Sequence, residues 1–285
     1  MADLADSFVK HQGGWLHFWQ FVERARKDWG IKTVAEYPKQ TGSLLVCGGG
    51  PSIHGDLKTI RKLAKRGGKI WAVNKTYDWL ISKGITPTYC CLLDPKPRVA
   101  DYVTKPSRKT TFFIASQCDP KVFENLEDHK RVLWHPGVDY FNQEWPAPIL
   151  KAEWTRPWVV IPGPTTVGLR AVPLGYFLGF RKFHLFGLDS SMDGANLHAY
   201  EKERMSVSEG DIEVKTPARR EVFKTNAHMA KQYLDFDQMI DKIGGFIKQR
   251  QWEPVDITVH GSGLLPSAAA KMGLHYCDKM NDKWK

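Results

Sequence analysis

The stretch SLLVCGGGPSIHGDLKTIRKLAKRGGKIWAVN, residues 43–74, decides the fold. Its first part, SLLVCGG (43–49), is a short apolar run that stops at glycines. LKTIRKLAKRGG (57–68) then repeats its apolar residues at helical spacing and ends at Gly67-Gly68. KIWAVN (69–74) is a second apolar run of strand length. A strand, a helix and a strand in so short a span form a βαβ unit, whose strands run parallel and are covered by helices.

The alternation continues in both directions. YDWLISKG (77–84) reads as a helix, and TYCCLLD (88–94), TTFFIAS (110–116) and RVLWH (131–135) as strands. Residues 136–160 are rich in Trp and Pro and read as an irregular excursion. TTVGLRAVPLGYFLGF (165–180) is a helix, with a kink expected at Pro173. RKFHLFGLD (181–189) is a strand, and 190–218 is polar without a period, a long loop of the kind that forms lids. A helix over 225–247 and a strand over 256–261 close the pattern, and no internal repeat is present. Ahead of it, Trp15, Phe18, Trp19 and Val22 recur at i, i+3, i+4 and i+7, an amphipathic helix. It either docks on the main domain or makes an oligomer or membrane-surface contact. The predicted class is therefore α/β: a Rossmann-like, mainly parallel sheet with helices on both faces, plus an N-terminal helical extension. The expected division is an extension over 1–42 and a Rossmann-like domain over 43–285.

Composition narrows the function classes. The chain has 285 residues, 42% hydrophobic and 25% charged, enough for one large core. That excludes a disulfide-stapled miniprotein, a collagen-like fibre and wholesale disorder. No apolar run reaches the ~18–20 residues that span a bilayer. MADLADSFVKHQGG (1–14) lacks the basic start and apolar core of a secretory signal, so a cytoplasmic location is expected. Cys47, Cys90, Cys91, Cys118 and Cys277 are odd in number and show no CxxC spacing, which points to buried free thiols and away from zinc. The net charge of +10 favours an anionic partner: nucleotide, nucleic acid or acidic lipid.

Six constellations can carry chemistry. Gly48-Gly49-Gly50-Pro51-Ser52 follows the first strand and precedes a helix, a setting in which backbone N–H groups reach an anion. Its spacing is neither GxGxxG nor a Walker A loop, so neither a dehydrogenase nor a P-loop kinase is supported. Asn74 ends the second strand and Asp94 the third, at the sheet edge where open α/β folds bind ligands. Asp189 ends another strand, and His198 lies nine residues on, beyond Asp193, where an imidazole of ordinary pKa, ~6.5, can take a proton. Thr165 and Thr166 open the kinked helix, as a cap or as hydroxyls for a ligand. His260-Gly261-Ser262-Gly263 forms a further turn after the last strand, in which Ser262 and Gly263 can close over a base or sugar. Under one sheet direction these residues converge on one rim.

The order of GGGPSI (48–53), AVN (72–74) and a strand ending in Asp94-Pro95 resembles the opening of the 6-hydroxymethylpterin diphosphokinase-like domain. That domain occurs in the archaeal pterin enzyme and in the motility-associated flagellin glycosyltransferases. Residues 165–200 are similar to its closing half, and bacterial sialyltransferases that use CMP-activated sugars share much of the layout. The resemblance implies that Gly48, Gly50, Pro51 and Ser52 hold a nucleotide phosphate or ribose and that Asn74 contacts the nucleotide. It implies that Asp94 and Asp189 face the phosphates or a metal, and that His198 is the candidate base. The expected function is a glycosyltransferase that uses a nucleotide-activated sugar and a hydroxyl acceptor. The acceptor is open and includes polyanions such as modified DNA or an acidic glycan. No tightly bound metal is expected. The alternatives are a pyrophosphokinase using ATP, with Mg²⁺ on Asp94 and Asp189, and a non-catalytic nucleotide- or nucleic-acid-binding protein. A homo-oligomer through the N-terminal helix is a further expectation.

Overall fold

The computed structural model describes residues 31–137, 160–161, 163–193, 198–200, 211–215 and 222–271. The expected N-terminal helix around Trp15–Val22 and most of the 136–160 excursion lie outside the described residues. In chain order the elements are β1 (Ser43–Cys47), α1 (Ile53–Lys65), β2 (Lys69–Val73), α2 (Thr76–Ser82), β3 (Tyr89–Leu92) and β4 (Thr111–Ala115). They continue with α3 (Pro120–Asn125), β5 (Lys130–Pro136), β6 (Val160–Ile161), α4 (Val167–Phe177), β7 (Lys182–Phe186) and β8 (Asp211–Lys215). The last are β9 (Val222–Asn226), α5 (Ala227–Lys248), β10 (Asp256–Val259) and α6 (Leu264–Lys271). Parallel strands alternate with helices, so the Rossmann-like α/β reading holds.

The chain forms two compact units. One comprises Met1–Pro38 with Trp71–Leu178, the other Lys39–Ile70 with Gly179–Lys285, so β2 contributes residues to both. In the first unit the strand order is β2-β3-β4-β5-β6, all parallel. Its strands carry consecutive buried residues rather than alternating ones, as covering on both faces demands. Trp71 stacks on Phe113 at 4.8 Å and Tyr77 packs at a tilt on Phe112 at 5.4 Å, which fixes strands and helix α2 together. Asp119 caps α3 by accepting from the Lys121 amide, with Pro120 in the first turn, a start signal that hydrophobic periodicity does not show.

In the second unit the order is β10-β7-β1, again parallel, with Leu44, Val46, Phe183, Leu185, Ile257 and Val259 buried. Helix α1 starts at Ile53, four residues before the expected start, because Ser52 already has helical φ and ψ and Ile53 is buried. The expected loop over 190–218 is not continuous. Asp211–Lys215 pairs antiparallel with Val222–Asn226. Most of this ribbon's side chains with a described environment are exposed or half-buried, so it carries no apolar pattern to read. It also takes Thr225 and Asn226 from the expected helix, which starts at Ala227 under the Asn226 side chain as cap.

Helix α4 is shorter than the expected 165–180 but does run through Pro173. Cys47, Cys90, Cys91 and Cys118 are free and buried, and burial pushes all four thiols up. Cys277 lies outside the described residues. No helix among the described residues is long and apolar enough to cross a membrane.

Candidate functional site

The glycine turn after β1 is built first by backbone contact. The Gly48 amide donates to the Phe186 carbonyl at 2.8 Å, and the Gly50 amide to the Gly187 carbonyl at 2.7 Å. A Cβ on Gly48 would sit 2.5 Å from the Gly187 oxygen, and one on Gly50 would sit 2.6 Å from the Asp189 carboxyl carbon. Gly187 answers from the other side with φ +60°, its own Cβ position 2.7 Å from the Gly48 oxygen. Glycine is therefore needed here so that the loops after β1 and β7 can touch. The sequence reading gave these glycines to a phosphate. In the structure the amides of Gly48, Gly50 and Ser52 are spent on the junction. The Gly49 N–H has no partner among the described residues.

Ser52 and Asp189 lock that junction. The Ser52 amide donates to Oδ2 of Asp189 at 2.8 Å and its hydroxyl to Oδ1 at 2.5 Å. Asp189 is 5% exposed. Burial pushes its carboxyl up to about 6, Asp56 and Asp193 add to the rise, and the two Ser52 bonds oppose it. The turn after β10 packs on the same pair. A Cβ on Gly261 (φ +91°) would overlap the Ser52 hydroxyl, and one on Gly263 (φ +136°) would lie 2.8 Å from the Asp189 carbonyl. Leu265 donates its amide to that carbonyl at 3.0 Å, and Leu264 donates to the Ser191 hydroxyl at 3.2 Å. Ser262, between the two glycines, is exposed, while Pro51 is buried.

His198, Ala199 and Tyr200 lie over this turn. The Ala199 amide donates to the Gly49 carbonyl at 2.8 Å, and His54 Nε2 is 2.9 Å from the Ala199 carbonyl. The Tyr200 hydroxyl is 2.7 Å from where a Gly49 Cβ would be. His198 stacks on Tyr200 with ring centroids 5.2 Å apart and planes 15° from parallel. Gly48–Ser52, Asp189, Gly263, His198 and Tyr200 thus meet at the ends of β1, β7 and β10.

The other expected residues belong to the first unit. Asn74 sits just past β2 at φ +47°, a turn conformation that asparagine tolerates, and its Nδ2 donates to Asp94 Oδ2 at 3.4 Å. Its Oδ1 is buried without a partner among the described residues. Thr166 is the N-cap residue of α4 but makes no side-chain bond to the helix, and Thr165 precedes it. Sequence reasoning missed three features. Gln117, just past β4, is fully buried and neither side-chain polar atom has a partner among the described residues. It carried the same signal as Asn74, a polar residue closing an apolar strand. Arg170 is buried in α4 and donates to the Ile161 carbonyl at 3.1 Å. In the second unit, His184 Nδ1 on β7 and His260 Nε2, just past the end of β10, are 2.9 Å apart, a pairing that no sequence spacing reveals.

A family model described as 6-hydroxymethylpterin diphosphokinase MptE-like matches residues 27–194, more than half of the chain. The chain belongs to the MptE-like family. The match covers Gly48–Ser52, Asn74, Asp94, Thr165, Thr166 and Asp189, and ends before His198, Ser262 and Gly263. No curated protein sequence matches this MptE-like chain. Among solved structures it is similar to the MAf glycosyltransferase from Magnetospirillum magneticum AMB-1, with a TM-score of 0.56 and 16% identity. The likeness covers 95% of this chain and 44% of that one, so the MptE-like chain spans less than half of the length of its structural relative. At that identity the likeness is one of fold.

Proposed function

We propose that the chain is a glycosyltransferase that takes a nucleotide-activated sugar and passes the sugar to a hydroxyl acceptor. The observation that carries the reading is the turn itself. An uncommitted Gly49 amide, a Ser52 hydroxyl fixed by Asp189 and the His198–Tyr200 stack all stand at one strand end. The family match supports a transferase, and the fold shared with the MAf glycosyltransferase supports glycosyl transfer within that class.

In this reading the Gly49 N–H and the Tyr200 hydroxyl donate to the departing nucleotide phosphate, where negative charge grows as the sugar–oxygen bond breaks. His198 takes the proton of the acceptor hydroxyl as that oxygen forms the new bond to the sugar carbon. Asp189 is a positioning residue, since both its oxygens accept from Ser52 and little of it faces solvent. Ser262 and Gly263 flank the sugar or base. Asn74, Asp94, Thr165 and Thr166, in the first unit, are each tested by an alanine variant against nucleotide affinity.

The family description favours a second reading, pyrophosphoryl transfer from ATP, in which Asp94 and Asp189 bind Mg²⁺. Asp189 fits that role poorly, because it is buried and both of its oxygens already accept from Ser52. A thermal-shift panel of CMP, UDP, GDP and ATP, each with and without Mg²⁺, separates the readings. A ligand at about 100 times its Kd stabilises the fold by about 2.7 kcal/mol. Glycosyl transfer requires a shift with one of the first three nucleotides that persists in EDTA. A shift confined to ATP with Mg²⁺ supports the pyrophosphokinase, and a flat panel removes both.

A further inference from the structure

Helix α1 carries a feature that the donor site does not use. Lys58, Arg61, Lys62, Lys65 and Arg66 fall at i, i+3, i+4, i+7 and i+8, so they form one stripe along the helix. All five are exposed, and together they line a surface groove of about 470 Å³. The opposite side of α1 holds the buried Ile53 and Ile60. The helix dipole explains cations in the last turn, Lys62 and Lys65, but not Lys58 or Arg61. Asp56 is the only acidic residue of the helix, and it sits in the first turn, outside the groove. Like charges at these spacings repel each other along a helix.

We propose that this stripe docks duplex nucleic acid through its phosphates. From Lys58 to Arg66 the helix rises about 12 Å. Five cations over that length stand about 3 Å apart along the axis, close to the one negative charge per ~3.4 Å that each strand of a duplex carries. A glycan with one carboxylate per ring presents sparser charge. An anionic membrane calls for apolar side chains beside the cations, and none of the large exposed hydrophobic residues lies on α1. Two of the five are arginines, whose planar fork grips a phosphate through paired bonds. The contact positions a duplex without reading its bases. The proposal is independent of the glycosyltransferase reading. If both hold, the stripe presents an acceptor on the helix that begins at the donor turn.

The test is fluorescence anisotropy of the full chain with a labelled 20-base-pair duplex between about 50 and 200 mM salt. Five neutralised phosphates give a slope of log K on log salt near −4.5. Arg61→Ala with Lys62→Ala flattens the slope by about 2 and weakens binding at least tenfold at the lower salt. Lys248→Ala with Arg250→Ala, an equal loss of charge at the exposed end of α5, leaves slope and affinity near those of the wild type. Circular dichroism establishes that both variants fold, and an unchanged nucleotide thermal shift keeps this result separate from the donor site. Equal weakening by the two double variants overturns the proposal, as does absence of duplex binding at 50 mM salt. Tighter binding to heparin or to anionic vesicles than to the duplex also overturns it, by assigning the stripe to another class of partner.

Discussion

Asp189→Asn isolates the electrostatic cost of the Ser52–Asp189 lock. The substitution keeps the shape and an acceptor for the Ser52 amide, and the Ser52 hydroxyl can turn to accept from the new amide group. It removes the titration. In the folded chain burial raises the carboxyl from its ordinary value of 3.8 to about 6. The folded state then holds a proton between those values that the unfolded state has released. Its contribution to stability is fully present below about 3.8 and is lost as pH rises through about 6. The rise corresponds to about 3 kcal/mol. Relative to the wild type, the Asn variant should therefore gain stability by about 1.4 kcal/mol per pH unit between pH 4 and 6 and level off above. Urea denaturation of both proteins at half-unit steps from pH 4 to 8 measures this difference directly, and other titrating groups cancel in it. Parallel stability curves would refute the buried, proton-holding carboxyl.

Other expectations follow from the same geometry. Ser52→Ala deprives a buried carboxylate of one donor and should cost about 1–3 kcal/mol at pH 7.5, read by denaturation; a cost below about 0.5 kcal/mol contradicts the lock. Gly48→Ala pushes a methyl onto the Gly187 carbonyl and should cost about 1–3 kcal/mol. Gly55→Ala, with open space around it inside α1, should instead stabilise by about 0.5–1 kcal/mol. His198→Ala should lower kcat about 10²–10⁴-fold while nucleotide affinity stays near wild type, measured by turnover and by titration; a wild-type kcat removes His198 as the base.

Much of the fold was legible because parallel strands announce themselves. Leu44–Val46, Ile70–Val73 and Phe112–Ala115 are runs buried on both faces, and each is followed by a turn. The β8–β9 ribbon was hidden for the opposite reason: its largely exposed side chains give strand formation no apolar signature. The glycine turn was found, but its physical purpose was only half readable. A sequence shows that glycine permits close approach and does not show to what. Here the near neighbours are Gly187 and Asp189, more than a hundred residues on. Ser52 and Asp189 were both singled out, yet their direct bond is a tertiary fact. Gln117 and the His184–His260 pair were missed because burial and strand neighbours, not spacing, set them apart.

The central claim is that the Gly49 amide receives the phosphate of an activated donor. Selective ¹⁵N labelling of glycine, with nuclear magnetic resonance spectra recorded as CMP, UDP, GDP and ATP are added in turn, addresses that atom alone. The proposal requires the Gly49 resonance to move downfield with one nucleotide and to saturate at the Kd found by calorimetry. Binding of a nucleotide with the Gly49 resonance unmoved, while glycines elsewhere respond, would contradict it.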